Sequence, residues 1–523
     1  MPVLTVLYNH TRLEIQVDAG STVLEGLRLS GLSHHADAPC GGNGLCGKCL
    51  VTVSGAVAAP DAREQALLAG KSERRLACLA RIEGACTVSL AEDDGLTVVE
   101  NSVFRFEADG KRRGLGAAVD IGTTTVALYL YDLRTGVRLA TASGANGQRS
   151  YGADVISRIQ YAMEHVDGLS VQTAAIRAQL RQLLREACEK ARRTPEEVTA
   201  VAVAGNTVME HLLTGLDPSG IAAAPFTPRS LFGESVSAEE YDLGTAPGTA
   251  LYIAPCVSGY VGGDITAGLM AVKALEKEQP ILFVDVGTNG EMAVGDHRGL
   301  TCCATAAGPA FEGGSISCGM AASPGAIDRV WVEDGALRVS VLGGGEAIGV
   351  CGSGLVDTLA ALLELEIVDE TGRLQPADEA PGAYADRLEG EGGNVRFRLS
   401  GDVWITAEDI RKLQLAKAAV AAGIETLLEH QKILPEQLGA FYLAGGFGSY
   451  LRPESAVRIG LFPAALLDRL QVVGNSAGAG ASMLLLSDKA GEDLRRTKEQ
   501  CTYLELSGMA QFNNAYMMCM MFE

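Results

Sequence analysis

Four cysteines have the three-plus-one grouping that a [2Fe-2S] cluster asks of its thiolate ligands. Cys40, Cys46 and Cys49 lie in the run Cys40-Gly-Gly-Asn-Gly-Leu-Cys46-Gly-Lys-Cys49, and Cys78 follows in Arg-Arg-Leu-Ala-Cys78-Leu-Ala. Glycines at 41, 42, 44 and 47 let the backbone wrap closely around such a cluster and aim N–H groups at the sulfurs, because a residue without Cβ accepts positive φ. Four thiolates also suit tetrahedral zinc, but zinc ribbons pair two C-x2-C knuckles and this chain has one. Gly42-x4-Gly47-Lys48 approaches a P-loop, yet Cys49 stands where Ser or Thr would hold Mg2+, and no helix signal follows. The run reads as a cluster socket and the N-terminus as an electron carrier.

The elements around the socket agree with it. Residues 12–17 alternate polar and apolar, which predicts a half-buried strand hairpinned to residues 3–8 through Asn9-His10. A short helix is expected over 22–29, a strand over 49–53, a helix near 63–68 and a closing strand over 86–90. Together with the spacing C-x5-C-x2-C, this order resembles the ferredoxin-type [2Fe-2S] domain over residues 1–95, which implies an α+β fold of the β-grasp kind. Cys86 sits in the apolar strand Ala-Cys86-Thr-Val-Ser-Leu and reads as a small core residue rather than a ligand.

The bulk numbers narrow the partners. Forty-three basic against sixty-four acidic residues give a net charge of −21, so nucleic acid and anionic membranes would be repelled. The start lacks a basic n-region with an apolar h-region, and no apolar run reaches spanning length; a cytoplasmic protein without a membrane partner is expected. Thirteen scattered cysteines fit reduced thiols rather than a disulfide framework.

Residues 96–115 are rich in charge and poor in periodicity, as a linker would be. Beyond them, Val119-Asp120-Ile-Gly122-Thr123-Thr124-Thr125 and Val284-Asp285-Val-Gly287-Thr288-Asn289-Gly290-Glu291 repeat one design, an apolar strand ending in Asp-x-Gly-Thr. Val201-Ala-Val-Ala-Gly205-Asn206-Thr207 and Phe441-Tyr-Leu-Ala-Gly445-Gly446-Phe-Gly448-Ser449 echo one another downstream. Two copies in the same order predict a duplicated α/β fold. Apolar spacing predicts long helices through Ile176 to Cys188 and Ile410 to Leu427, with Cys188 in the core. The acidic, turn-rich stretch 367–400 is expected to be a solvated excursion.

Each Asp-x-Gly-Thr turn can grip phosphate oxygens with its N–H groups and hydroxyls while its Asp holds a hydrated Mg2+. The motifs resemble those of the acetate kinase, sugar kinase, heat-shock chaperone and actin superfamily (ASKHA), whose two lobes close on ATP. Asp120 to Thr125 match its phosphate-1 motif, Asp285 to Gly290 its phosphate-2 motif, and Leu443 to Gly448 its adenosine motif. The resemblance implies an actin-like ATPase domain over 116–490, with lobes of about 116–275 and 276–490 and a C-terminal extension over 491–523. Gly122, Thr123, Thr124, Thr125, Gly287, Thr288, Asn289, Gly290, Gly445, Gly446 and Gly448 become the nucleotide contacts. Asp285 is the first candidate for placing Mg2+ or the attacking water, with Asp120 opposite and Glu291 and Asp264 behind. Cys302, Cys303, Cys318 and Cys351 lie near glycines but lack regular ligand spacing for a second cluster.

A ferredoxin needs no ATP and a kinase no iron, so their union implies that nucleotide turnover gates an electron transfer. With Tyr151-Gly-Ala-Asp154-Val-Ile-Ser157-Arg158, Gly205-Asn206-Thr207-Val-Met209 and Gly474-Asn475-Ser476-Ala-Gly478, the chain resembles the reductive activators of corrinoid-dependent methyltransferases and corrinoid proteins. The resemblance implies an ATP-dependent return of one electron to a partner's Co(II) corrinoid, an upstream low-potential electron donor, and compatibility with a homodimer. The branch with C-terminal [4Fe-4S] motifs is a poorer match, since the tail offers only Cys501 and Cys519. Some members of the N-terminal [2Fe-2S] branch carry an added middle domain, which 96–115 is too short to hold. Two other readings remain open: a small-molecule kinase with a fused redox-sensing domain, and a non-catalytic ATP-gated redox sensor. The tail Met509 to Phe522 is expected to cap a core rather than to dock a partner.

Overall fold

The computed structural model describes residues 1–8, 11–30, 32, 36, 38, 42, 44, 47, 49–68, 74–90, 104, 108–448 and 450–522. The turn at Asn9-His10, the cysteines Cys40 and Cys46, most of the linker and Ser449 lie outside the described residues. The described residues of 1–95 pack with 108–254 as one compact unit, and Phe104 packs with those of 255–523 as the other.

The first unit opens with strands β1 (Val3–Tyr8) and β2 (Thr11–Gln16), helix α1 (Val23–Leu29), β3 (Leu50–Val57), α2 (Ala62–Leu68), β4 (Arg75–Leu76) and β5 (Ile82–Ser89). They form a five-stranded sheet in the order β2-β1-β5-β3-β4, with β1 and β5 parallel. Alternation drives the pairing: Leu4 and Val6 face a core shared with Leu24, Leu27, Leu76, Cys86 and Val88. Thr22 caps α1 by accepting from Glu25 N while the Glu25 carboxylate accepts from Thr22 N, which satisfies two otherwise orphaned donors.

The rest of this unit is β6 (Leu115–Ile121), β7 (Thr125–Asp132), β8 (Arg138–Ala145), α3 (Val155–Glu164), α4 (Gly168–Lys190), β9 (Val198–Gly205), α5 (Thr207–Thr214), β10 (Ser235–Ser237) and β11 (Ala250–Ile253). Its sheet runs β10-β11-β9-β6-β7-β8. Helix α4 buries Ile176, Leu180, Leu183, Leu184, Ala187 and Cys188, the stripe read from the sequence.

The second unit contains α6 (Gly263–Ala271), β12 (Ile281–Val286), β13 (Gly290–Asp296), β14 (Gly299–Thr305), β15 (Ala326–Glu333), β16 (Ala336–Val341), β17 (Gly349–Val350) and α7 (Gly352–Glu364). It continues with β18 (Leu388–Glu389), β19 (Arg396–Ser400), β20 (Val403–Thr406), α8 (Ala407–Gln431), β21 (Ala440–Ala444), α9 (Pro453–Arg458), β22 (Leu470–Gly474), α10 (Ser476–Leu486), α11 (Asp488–Glu499), β23 (Cys501–Tyr503) and α12 (Ala510–Met518). The main sheet runs β22-β21-β12-β13-β14-β23.

The two large sheets share a plan. In each, a hairpin of antiparallel strands (β6-β7-β8, β12-β13-β14) is flanked by parallel strands (β9 and β11, β21 and β22). This is the duplicated α/β ASKHA fold behind a β-grasp ferredoxin domain. One expectation fails. The stretch 367–400 is not a solvated excursion, since Ile367, Val368, Leu388, Phe397 and Leu399 are buried in the second unit's core. Cys501–Tyr503 joins the second unit's sheet as edge strand β23, parallel to β14, and the tail Met509 to Phe522 caps a core as expected: Phe522 is buried in it and Met509 and Phe512 pack against it, whereas Met517 and Met518 stay exposed.

Candidate functional site

The cysteine socket is built on Cys49 and Cys78, both buried, with sulfurs 3.2 Å apart. That exceeds a disulfide bond of about 2.05 Å and is shorter than the ~3.8 Å between two thiolates on one tetrahedral metal at about 2.3 Å, so the two thiols converge on one spot without being bonded to each other. Cys78 is held from three directions. The Glu64 carboxylate, almost wholly buried, accepts from Arg75 Nε and Nη2 at 2.9 and 2.8 Å and from Leu76 N at 2.9 Å. Ala77 O and Ala80 O accept from Leu24 N and Val23 N, spending the free N–H groups of α1 on the Cys78 turn. Ala77 N donates to Cys49 O at 2.8 Å. Gly42, Gly44 and Gly47 have φ of +92°, +62° and +67°. A Cβ on Gly44 would stand 2.8 Å from Leu79 Cδ2, so the loop presses onto the Cys78 turn as only glycine allows. The donor set and the close-drawn backbone fit an iron-sulfur cluster. Cys86 lies in the core, where burial raises its thiol pKa.

The first Asp-x-Gly-Thr turn links β6 to β7. Gly122 is required because a Cβ there would meet Thr125 O at 2.7 Å. Three successive carbonyls are tied inward: Gly122 O accepts from Asn146 Nδ2 at 2.7 Å, Thr123 O from Arg158 Nη2 at 2.5 Å, and Thr124 O from Asn146 N at 2.8 Å. In a trans peptide the C=O and the following N–H point to opposite sides, so this directs the N–H groups of Thr123, Thr124 and Thr125 away from Asn146 and Arg158. Asn206, the N-cap of α5, donates to Thr123 Oγ1 at 2.9 Å. Arg158 and Asn206 thus gain a reason for their place in the sequence motifs: from separate elements, they set one Asp-x-Gly-Thr turn.

The second turn links β12 to β13 and carries acids. Asp285 and Glu291 are cross-strand partners. Burial, then the neighbouring Asp264 and Asp285 carboxylates, push the Glu291 pKa well above its usual range, while the Asn289 side chain opposes this by hydrogen bonding. Burial pushes Asp264, in the first turn of α6, up to about 6. Thr288 Oγ1 donates to Glu312 Oε1 at 3.1 Å. Among the described residues no group of three or more His, Cys, Asp or Glu is arranged to ligate one metal ion directly. Three converging carboxylates still fit a hydrated Mg2+, which keeps several waters and takes few protein ligands.

The adenosine-type turn after β21 closes on the same place. Gly445 has φ of +91°, and a Cβ there would lie 2.6 Å from Asp285 Oδ1 and 2.8 Å from Val286 O. A Cβ on Gly446 would meet nothing within 4 Å, leaving the backbone open to a ligand, while a Cβ on Gly448 would stand 2.8 Å from Ala444 O. Asn475 caps α10 beside it by accepting from Gly478 N at 2.6 Å.

The four internal cysteines do not gather. Cys302 and Cys303 are neighbours on β14 and so point to opposite faces, one into each core flanking the sheet. Cys318 Sγ accepts from Trp404 N at 3.5 Å, and Cys351 Sγ lies 3.3 Å from Ser353 Oγ. Sequence reasoning missed Asn146 and Glu312, which reach the turns from distant segments. Their one local signal is glycine beside a polar residue, in Asn146-Gly147 and Gly308-Pro-Ala-Phe-Glu312-Gly.

Residues 6–83 match the family described as 2Fe-2S iron-sulfur cluster binding domain. Residues 115–277 match that described as RACo middle region, and 279–523 that described as C-terminal domain of RACo, the ASKHA domain. A middle region is therefore present, and it is the β6 to β11 half of the duplicated fold rather than an insert in 96–115. The corrinoid activation enzyme RamQ of Eubacterium limosum is 34% identical over 417 residues, 78% of this chain and 70% of the relative. The [Co(II) methylated amine-specific corrinoid protein] reductase of Methanosarcina barkeri is 26% identical over 77% of this chain and 76% of its own. A solved structure of a reductive activator for corrinoid, iron-sulfur protein aligns with a TM-score of 0.71 at 31% identity, covering 99% of this chain and 98% of that one. No helix among the described residues is long and apolar enough to cross a membrane.

Proposed function

We propose, because the chain belongs to the family of reductive activators of corrinoid proteins, that it returns one electron to a partner protein's Co(II) corrinoid, regenerating Co(I) at the expense of ATP. The observation that carries this reading is the union of a cluster domain and a duplicated nucleotide fold in one chain, matched along 99% of its length by a solved activator. Cys40, Cys46, Cys49 and Cys78 would hold the [2Fe-2S] cluster, which supplies electrons singly. The Glu64–Arg75 pair and the N-terminus of α1 keep the Cys78 turn in place through each change of charge.

The nucleotide is held by this chain's own turns. The outward N–H groups of Thr123, Thr124 and Thr125 suit phosphate oxygens, and the open backbone at Gly446 suits the adenosine. Asp285 would orient a hydrated Mg2+ from the second turn, and Asp120 holds the matching position in the first. Glu291, the cross-strand partner of Asp285, is placed to accept a proton from the attacking water. If the electron transfer is uphill by about 0.3 V, it costs about 7 kcal/mol. Nucleotide turnover can offset that only by changing how tightly the partner's two redox states are held. An upstream low-potential donor would refill the cluster.

Reduced protein mixed with a Co(II) corrinoid protein should yield the Co(I) absorption spectrum only with ATP and Mg2+, releasing ADP and inorganic phosphate. Phosphorylation of a small acceptor at a metabolic rate, without a protein partner, would replace this reading with that of a kinase.

A further inference from the structure

Arg28 leaves the cluster domain's α1 and ends among aromatic rings of the first large sheet's domain. Its Nη2 donates to Ser150 O. Its guanidinium carbon lies 4.8 Å from the centre of the Tyr151 ring and 5.5 Å from that of Tyr161. The two rings meet edge to face at 5.0 Å. Both are cation–π distances, and burial raises both phenol pKa values, so neither tyrosine neutralises the cation.

The same guanidinium borders the cysteine loop. The point where a Cβ of residue 42 would stand is 3.5 Å from Arg28 Nη2, 3.0 Å from Leu24 Cδ2 and 3.9 Å from Cys78 Cβ. On its far side, the segment that Arg28 grips is the one that sets the phosphate turn. Asn146 caps the 3-10 helix Gly147–Ser150 that delivers Ser150 and Tyr151, and it also binds Gly122 O and Thr124 O. Arg158, three residues before Tyr161 on α3, binds Thr123 O and, at 3.0 Å, Gly152 O. A continuous run of contacts therefore joins the phosphate turn, through residues 146–161 and Arg28, to the loop that carries the cluster ligands.

We propose that Arg28 is a positioning residue that makes nucleotide occupancy and cluster charge depend on each other. The inference rests on the activator reading for the two cofactors and adds the path between them. Reduction places one more negative charge in the socket, and a guanidinium beside the loop interacts more strongly with that state. Nucleotide at the turn pulls on the residues that place the guanidinium. By linkage, any effect of nucleotide on the cluster's potential must equal the effect of reduction on nucleotide affinity, about 59 mV for each tenfold.

The test uses the full-length holoprotein. Midpoint potential and EPR spectrum are measured with and without Mg2+ and a non-hydrolysable ATP analogue, and analogue affinity is measured in the oxidised and dithionite-reduced states. Wild type should show a nucleotide-dependent potential and the matching ratio of affinities. Arg28→Ala should lose both while retaining iron and basal ATPase activity. Tyr161→Leu removes the other side of the contact without touching the cluster domain, and it should lose both as well. Survival of the shift in Arg28→Ala, or in Tyr161→Leu if the first variant fails to keep iron, overturns the proposal. Wild type that binds iron and nucleotide without mutual influence overturns it too. Wild type lacking iron or nucleotide binding sinks the activator reading along with it.

Discussion

At the scale of single residues, the acids of the second turn work against the fold that holds them. The Asp264 carboxyl is pushed by burial from 3.8 to about 6, so the folded state favours its protonated form. Its share of stability is complete below about pH 4 and is lost as pH rises through 6. Asp264→Asn should therefore raise the Tm of nucleotide- and metal-free protein by about 2–4 °C at pH 8 and leave it unchanged near pH 4, as thermal unfolding at the two pH values will tell. Asp285→Ala should lower the ATPase kcat at least ~100-fold with iron content unaltered; full activity would remove Asp285 from the site. In the socket, Glu64→Ala leaves Arg75 without its carboxylate and should cost about 3 kcal/mol, measured by denaturant unfolding alongside loss of visible absorption. Asp285 and the four cysteines could be proposed from the sequence because type and spacing are local properties. Glu64 was not, since nothing in Ala62-Arg-Glu64-Gln hints that the chain returns eleven residues later with Arg75.

Among elements, the turn after β21 separates two uses of glycine. Gly445 has the left-handed backbone and no room for a side chain, so Gly445→Ala should destabilise the protein by about 1–3 kcal/mol. Gly446 has room, so Gly446→Val should change stability by less than about 0.5 kcal/mol and weaken ATP binding more than tenfold, as calorimetric titration would measure. Helices α4 and α8 and the hairpin strands were readable because a long apolar period is a strong signal. The misreading of 367–400 has a physical cause. Arg396-Phe397-Arg398-Leu399 alternates outward charge with buried apolar groups, and acidic neighbours hid a period of two within a charged composition.

For the whole molecule, the cluster domain owns a self-contained core of Leu4, Val6, Leu24, Leu27, Leu76 and Val88. Deleting residues 1–95 should abolish cobalt reduction yet leave a folded, basal ATPase. Loss of hydrolysis in that truncation would mean that the cluster domain completes the nucleotide site. The duplicated halves were foreseeable from their repeated turns, but not their divergence. Across the first hairpin Asp120 is paired with Ala127; across the second, Asp285 is paired with Glu291. The first turn is braced from beneath by a buried cation, Arg158, whereas acids crowd the second. With Ala127 where the second hairpin has Glu291, the first half carries no cross-strand acid at its turn, and it is this half whose Tyr151 and Tyr161 hold Arg28 of the cluster domain. The electron carrier is thus anchored to the half of the duplicated fold that braces its turn with a cation, and a change at that turn has a short route to the cluster.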